Sequence, residues 1–157
     1  MPASDSTTAN PTNREIALTR TFAAPRALVW EAWMVPEHFA QWMGPRGYTI
    51  TVQNLDVRVG GVSHYVMHGP DGTDYMNVAE YTEVVPRERL AYRLGDAEPP
   101  DPDAFEVMVT FSGPDSATTV TMKMTFPSVE ACEAVKAFGA VELGQQTMEK
   151  LGEFLAG

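Results

Sequence analysis

Basic residues are scarce in this chain. Lys and Arg number 11 against 21 Asp and Glu, for a formal charge of −10, and the few cations are scattered. Binding a phosphate backbone takes a basic stripe that releases counterions, so nucleic acid is not an expected partner. Acidity favours solubility and repels anions without naming a ligand. Cysteine is nearly absent as well. Cys132 stands alone, which excludes an internal disulfide and fits a reducing cytoplasm, the expected location. No apolar run approaches the length that spans a bilayer, so membrane insertion is not expected. The opening MPASDSTTANPTN has neither a basic start nor an apolar stretch. It reads as a mobile polar tail over residues 1–14, not as a secretory signal. A hydrolase elbow, a P-loop, a dinucleotide fingerprint and zinc-ligand spacing are all missing, and neither cofactor nor metal is expected.

What is present is aromatic and apolar. A hydrophobic fraction of 44% with 20% charged residues places the chain among soluble globular proteins, and its length suits one domain, residues 15–157, with a continuous core. Residues 23–47 pack three tryptophans and a phenylalanine into two short helical pieces, divided by Pro36 and closed by Gly44-Pro45. Pro25 suits a first helical turn. Leu28, Val29, Ala32 and Trp33 recur at helical spacing, and Phe39 and Trp42 share a face of the second piece.

Around these helices the pattern is β. Strands are expected at 15–22, 48–57, 62–68, 75–85, 89–94, 105–111 and 118–126, with Gly60-Gly61, Gly69-Pro70-Asp71-Gly72, Pro86-Arg87-Glu88 and Gly113-Pro114-Asp115 as punctuation. Ser128 is a plausible N-cap for a closing helical region, which Gly139 breaks or bends. Beyond it Val141, Met148, Leu151 and Leu155 form one stripe that contains Gly144. Strand, two short helices, about six antiparallel strands and a long helix make an α+β order, satisfied by a strongly curved sheet wrapped around the terminal helix.

Several segments carry a resemblance: L-T-R-T-F-x-A-P-R-x-L-V-W-x-A-W, W-M-G-P-R-G, D-V-R-V-G-G, G-P-D-G-T, Y-x-E-V-V-P-x-E-R-L and F-G-A-V-E-x-G-Q-Q-T-M-E-K-L. Taken together and in order, they resemble the bacterial members of the activator of heat-shock protein 90 ATPase homologue-like family, within the START-like or SRPBCC superfamily. The resemblance implies a helix-grip fold with a cavity between sheet and C-terminal helix. Met43, Val59 and Ser63 depart from the usual pattern, which has tryptophan, proline and a large aromatic there. A Ser63 that points inward is expected to enlarge or polarise the cavity.

Strand parity supplies a candidate lining. Tyr65 and Met67 share a face, as do Leu90 and Tyr92, then Val107, Val109 and Phe111, then Val120, Met122 and Met124. Trp33, Phe39 and Trp42 are expected above them. Phe138, Gly144 and Met148 come from the closing helical region, and Ser63 and Tyr81 complete the set. For any one residue ordinary core is the simpler reading; for the set, the resemblance favours an apolar pocket. His64 and His68 share the opposite side of one strand and lack a third ligand nearby, while His38 is expected in solvent. Asp56 and Arg58 are expected to pair structurally. Glu83 shares regular strand parity with Tyr81 and would suit acid–base work if buried, but is expected in water at the strand end.

The leading function is therefore the binding of a small hydrophobic or aromatic molecule. An enzyme using the same cavity (cyclase, dehydratase or hydrolase) and a chaperone-associated protein are the alternatives. A homodimer remains open.

Overall fold

The computed structural model describes residues 14–157 and the backbone of Thr7 and Thr8. The expected tail over 1–14 lies mostly outside the described residues. Thr7–Thr8 forms a two-residue strand, β1, antiparallel to β2 (Glu15–Phe22). Then come α1 (Arg26–Met34), α2 (Pro36–Trp42), β3 (Thr49–Asn54), β4 (Val62–His68) and β5 (Asp74–Val85). β6 (Arg89–Gly95), β7 (Phe105–Ser112) and β8 (Thr118–Thr125) follow, and α3 (Val129–Phe138) and α4 (Ala140–Ala156) close the chain.

The curved sheet is antiparallel throughout, in the order β1-β2-β8-β7-β6-β5-β4-β3. β3 to β8 form a meander, and β2 returns to pair along β8, with Leu18 opposite Met122 and Arg20 opposite Val120. The inner face carries the alternating apolar residues on which α4 lies. This is the helix-grip arrangement implied by the sequence. β3 is shorter than the expected 48–57, because the chain leaves the sheet after Asn54 and folds back on itself: Arg58 N–H donates to Asp56 O and Gly61 N–H to Arg58 O.

Pro25 caps α1 from outside, in extended conformation, and helical dihedrals begin at Arg26. Val29, Trp30, Ala32 and Trp33 are buried, whereas Leu28 is 40% exposed. Trp30 occupies the inward position expected of Leu28, its ring 5.3 Å from that of Phe111. The two short helices are fastened by the Trp42 indole, whose Nε1–H donates to Ala32 O at 3.0 Å in a fully buried setting.

At the other end Ser128 caps α3 as expected, its Oγ accepting from Ala131 N–H. Gly139 then takes φ 98°, a left-handed conformation that ends one helix and begins the next. α3 lies over a small cluster of Ile16, Phe126 and Cys132. α4 crosses β2 so closely that a Cβ on Gly144 would lie 2.5 Å from Leu18 Cδ1. Its outer side is pinned to the 44–47 turn: Lys150 Nζ donates to Gly44 O, and Arg46 pairs with Glu149 and Glu153.

Candidate functional site

Between the inner face of the sheet and α4 lies a hollow of about 140 Å³. β2 gives it Leu18, β4 gives Tyr65 and Met67, and the middle strands give Tyr92, Leu94, Phe105 and Val107. Met122 and Met124 come from β8, Ala140, Gly144, Thr147 and Met148 from α4, and Met43 from the end of α2. Asn77 joins them because it faces Tyr65 across the β4–β5 ladder. Five of the nine methionines therefore meet in one place. Met side chains are flexible and polarizable, so such a wall adapts to its contents. Larger hollows, of about 550 Å³ between β2 and the end of α4 and 710 Å³ on the outer face of the sheet, are open grooves with charged walls. Concave, mostly apolar and only sparsely polar walls are what small-molecule sites have in common, and that description fits the smaller one.

Eight of the expected lining residues are here: Tyr65, Met67, Tyr92, Val107, Met122, Met124, Gly144 and Met148. The others are placed differently. Trp33, Phe39 and Trp42 form a packed layer behind the wall, with Trp33 4.6 Å from Trp42, Phe39 5.8 Å from Trp42 and Phe39 5.0 Å from Tyr65 between ring centroids. Only Tyr65 of that chain of contacts touches the hollow. Val109 is fully buried in the core beside it. Ser63 points inward but does not line the cavity or polarise it. Its Oγ accepts from the Tyr81 hydroxyl and from Asp56 N–H, both at 2.9 Å, so Tyr81 and Ser63 satisfy each other away from the hollow. Phe138 is 68% exposed. It ends α3, and the left-handed turn at Gly139 stops α3 and α4 from continuing one apolar stripe.

Leu18 and Asn77 were missed, although pairing signals exist for both. Leu18 stands opposite Met122, and extending the alternation into β2 reaches it. Asn77 reveals itself only once β4 and β5 are in register. Nothing periodic marks Met43, which follows the last helical turn.

The remaining constellations make local pairs away from the hollow. His64 Nδ1 bonds Asn54 Oδ1 at 2.6 Å and its Nε2 bonds Glu98 Oε2 at 2.7 Å. His68 bonds Asp74 and Thr51. Among the described residues, no group of three His, Cys, Asp or Glu could hold a metal ion. His38 is not a solvent residue: it is half-buried, its ring 5.2 Å from that of Phe154 on α4. Arg58 and Asp56 pair at 2.8 Å in the open. The β5–β6 register shifts between Tyr81 and Glu83, an extra residue that turns Glu83 to the outer face opposite Ala91. There Arg89 donates to its carboxylate at 2.7 Å, and that hydrogen bond holds the carboxyl below its usual range.

Burial, by contrast, pushes the phenols of Tyr65 and Tyr92 well up, and that of Tyr81 up less, since its bond to Ser63 opposes the shift. A raised folded-state pKa means that the unfolded chain ionises first. The stability held by these groups is complete below about pH 10, the ordinary tyrosine range, and is lost as pH rises beyond it. A spectrophotometric titration followed together with circular dichroism is expected to show three of the five tyrosines ionising only as the fold is lost. Ionisation of all five with the fold intact would contradict their burial.

The family model described as Activator of Hsp90 ATPase homolog 1-like protein matches residues 23–156. No curated protein matches the chain. The crystal structure of protein Ms6760 from Mycobacterium smegmatis is similar, with 26% identity, 96% of this chain and 95% of that one covered, and a TM-score of 0.84. A solution structure of a protein from Arthrobacter aurescens shares the fold at 23% identity, covering 96% and 91%, with a TM-score of 0.88. One from Staphylococcus epidermidis is 26% identical over 95% and 93%, with a TM-score of 0.82.

Proposed function

The chain belongs to the Activator of Hsp90 ATPase homolog 1-like family, and from that premise we propose that it encloses a small hydrophobic or aromatic molecule between the sheet and α4. The observation that carries this reading is the apolar hollow itself, with five methionines and no charged side chain on its wall. A cavity of roughly 150 Å³ is enough to admit benzene, so a one-ring molecule suits the size. Residues 15–157 act in this reading as one domain built around the hollow. No helix among the described residues is long and apolar enough to cross a membrane. A cytoplasmic setting belongs to the same reading, since Cys132 is a buried free thiol.

An acid–base enzyme relying on a carboxylate or an imidazole would need one on the wall, and the described wall carries neither. Glu83, the carboxylate that regular strand parity would supply, faces outward and is engaged by Arg89. Binding is the reading that uses what the wall does contain.

Methionine methyl groups provide the test. In protein labelled with ¹³C at the methionine methyls, addition of toluene is expected to shift Met43, Met67, Met122, Met124 and Met148. Met34, Met76 and Met108, which do not line the hollow, are expected to stay in place. Shifts spread evenly over both groups, or none up to the solubility of toluene, would defeat the proposal.

A further inference from the structure

Three tyrosines meet on the inner face of β4, β5 and β6, and only one of their hydroxyls bonds to a described residue. The Tyr81 hydroxyl donates to Ser63. Tyr92, whose ring centroid is 5.7 Å from that of Tyr81, and Tyr65 are 7% and 4% exposed and both line the hollow. Neither hydroxyl bonds to a described residue, and neither is fully shut off, since the inaccessible side-chain atoms without a partner are Trp33 Nε1, His38 Nδ1 and Asp101 Oδ2. Buried polar groups are nearly always paired, because an unmade hydrogen bond forfeits the hydration that the group had in water. Two hydroxyls that donate to no protein atom, on one mostly apolar wall that a guest can reach, therefore mark where a polar atom of that guest would be held.

Resting on the binding reading above, we propose that the guest is a neutral one-ring aromatic molecule carrying a carbonyl-type oxygen, which accepts from the hydroxyls of Tyr65 and Tyr92. A carbonyl oxygen has two lone pairs and so can take both donors. Burial keeps these phenols protonated, which makes them donors and not acids. The guest is neutral because no Lys, Arg or His stands on the described wall, and a carboxylate would surrender its hydration without a counter-charge. The ring is single because the hollow holds about 140 Å³. Asn77, opposite Tyr65, donates Nδ2–H to Tyr75 O at 3.1 Å and keeps its amide oxygen for a polar substituent at the cavity edge.

Three probes and two substitutions test this. Acetophenone carries the carbonyl, α-methylstyrene keeps its shape with CH₂ in place of oxygen, and benzoate adds a charge. Water expels the hydrocarbon more strongly than the ketone, so the informative quantity is the change on mutation and not the raw affinity. The double variant Tyr65→Phe/Tyr92→Phe is expected to bind acetophenone at least about tenfold more weakly, as loss of two neutral hydrogen bonds implies. Its α-methylstyrene affinity is expected to stay within about twofold, which also shows that the fold is intact. Each single variant should carry part of the loss, and benzoate should bind far more weakly than acetophenone to the unaltered chain. An equal loss for both uncharged probes, or no loss for acetophenone, overturns the hydroxyl pairing while leaving the binding reading in place. Benzoate binding as tightly as acetophenone overturns the neutral guest. Failure of the unaltered chain to bind either uncharged probe overturns the binding reading, and this inference with it.

Discussion

Trp42→Ala is expected to lower the stability of the fold by about 3–5 kcal/mol, the usual cost of removing a buried large aromatic side chain. The reasons are local. Trp42 is fully buried, rests against Trp33 and Phe39, and carries the hydrogen bond to Ala32 O that ties α2 to α1. Alanine would leave a void at the centre of the aromatic layer as well as an unmade bond. Equilibrium denaturation followed by circular dichroism measures the loss, and a change below about 1 kcal/mol would show the layer to be less tightly packed than its geometry. Trp42→Phe should fall between, since it keeps a ring but drops the donor. Because Phe39 and then Tyr65 lie between Trp42 and the hollow, this residue supports the wall and does not belong to it.

Gly144→Leu is expected to abolish toluene uptake while leaving a folded protein. Gly144 lines the hollow and also touches β2, so cavity wall and close packing are here the same position. A side chain added at 144 meets the tip of Leu18, which can rotate, and both residues border the hollow. The volume lost is therefore guest volume. Overpacking costs roughly 1–3 kcal/mol, partly offset by about 1 kcal/mol from replacing glycine inside a helix. The net loss of roughly 0–2 kcal/mol corresponds to a fall in Tm of at most about 8 °C at this chain length. A methyl shift titration and a thermal melt check the two halves. Undiminished uptake would mean that Leu18 moves elsewhere, and a collapse of the melting transition would mean that the wall has no slack.

Much of the fold was legible because its signals are local. The bounds of β2 and β4 follow from alternation bracketed by turn residues, and Gly139 divides the closing helices through its backbone freedom alone. Strand parity found Tyr65, Met67, Tyr92 and Met122, since alternate residues must share a face. Parity and helical facing say which way a side chain points, however, and not what stands in front of it. Trp33, Phe39 and Trp42 do point inward, but they meet other rings before they meet the hollow. Ser63 also points inward, and only the β4–β5 pairing reveals that Tyr81 uses its hydroxyl. Phe138 was misjudged because it was grouped with Met148 on the closing helical region, although it ends α3 just before the left-handed residue, where helical phase is lost. His38 was misjudged because half-burial against Phe154 depends on how α2 and α4 approach, which no local pattern records.

One added residue in β5 decides which chemistry the interior can hold. Were the strand regular between Tyr81 and Val85, Glu83 would stand inside opposite Leu90, in the place Val84 now takes. A carboxylate there would be costly to ionise and suited to carrying protons. The irregularity instead keeps the acid in water and gives the interior a valine. Within this fold, then, a change of one residue in strand length decides whether a carboxylate or an apolar side chain faces the interior, without any new residue type.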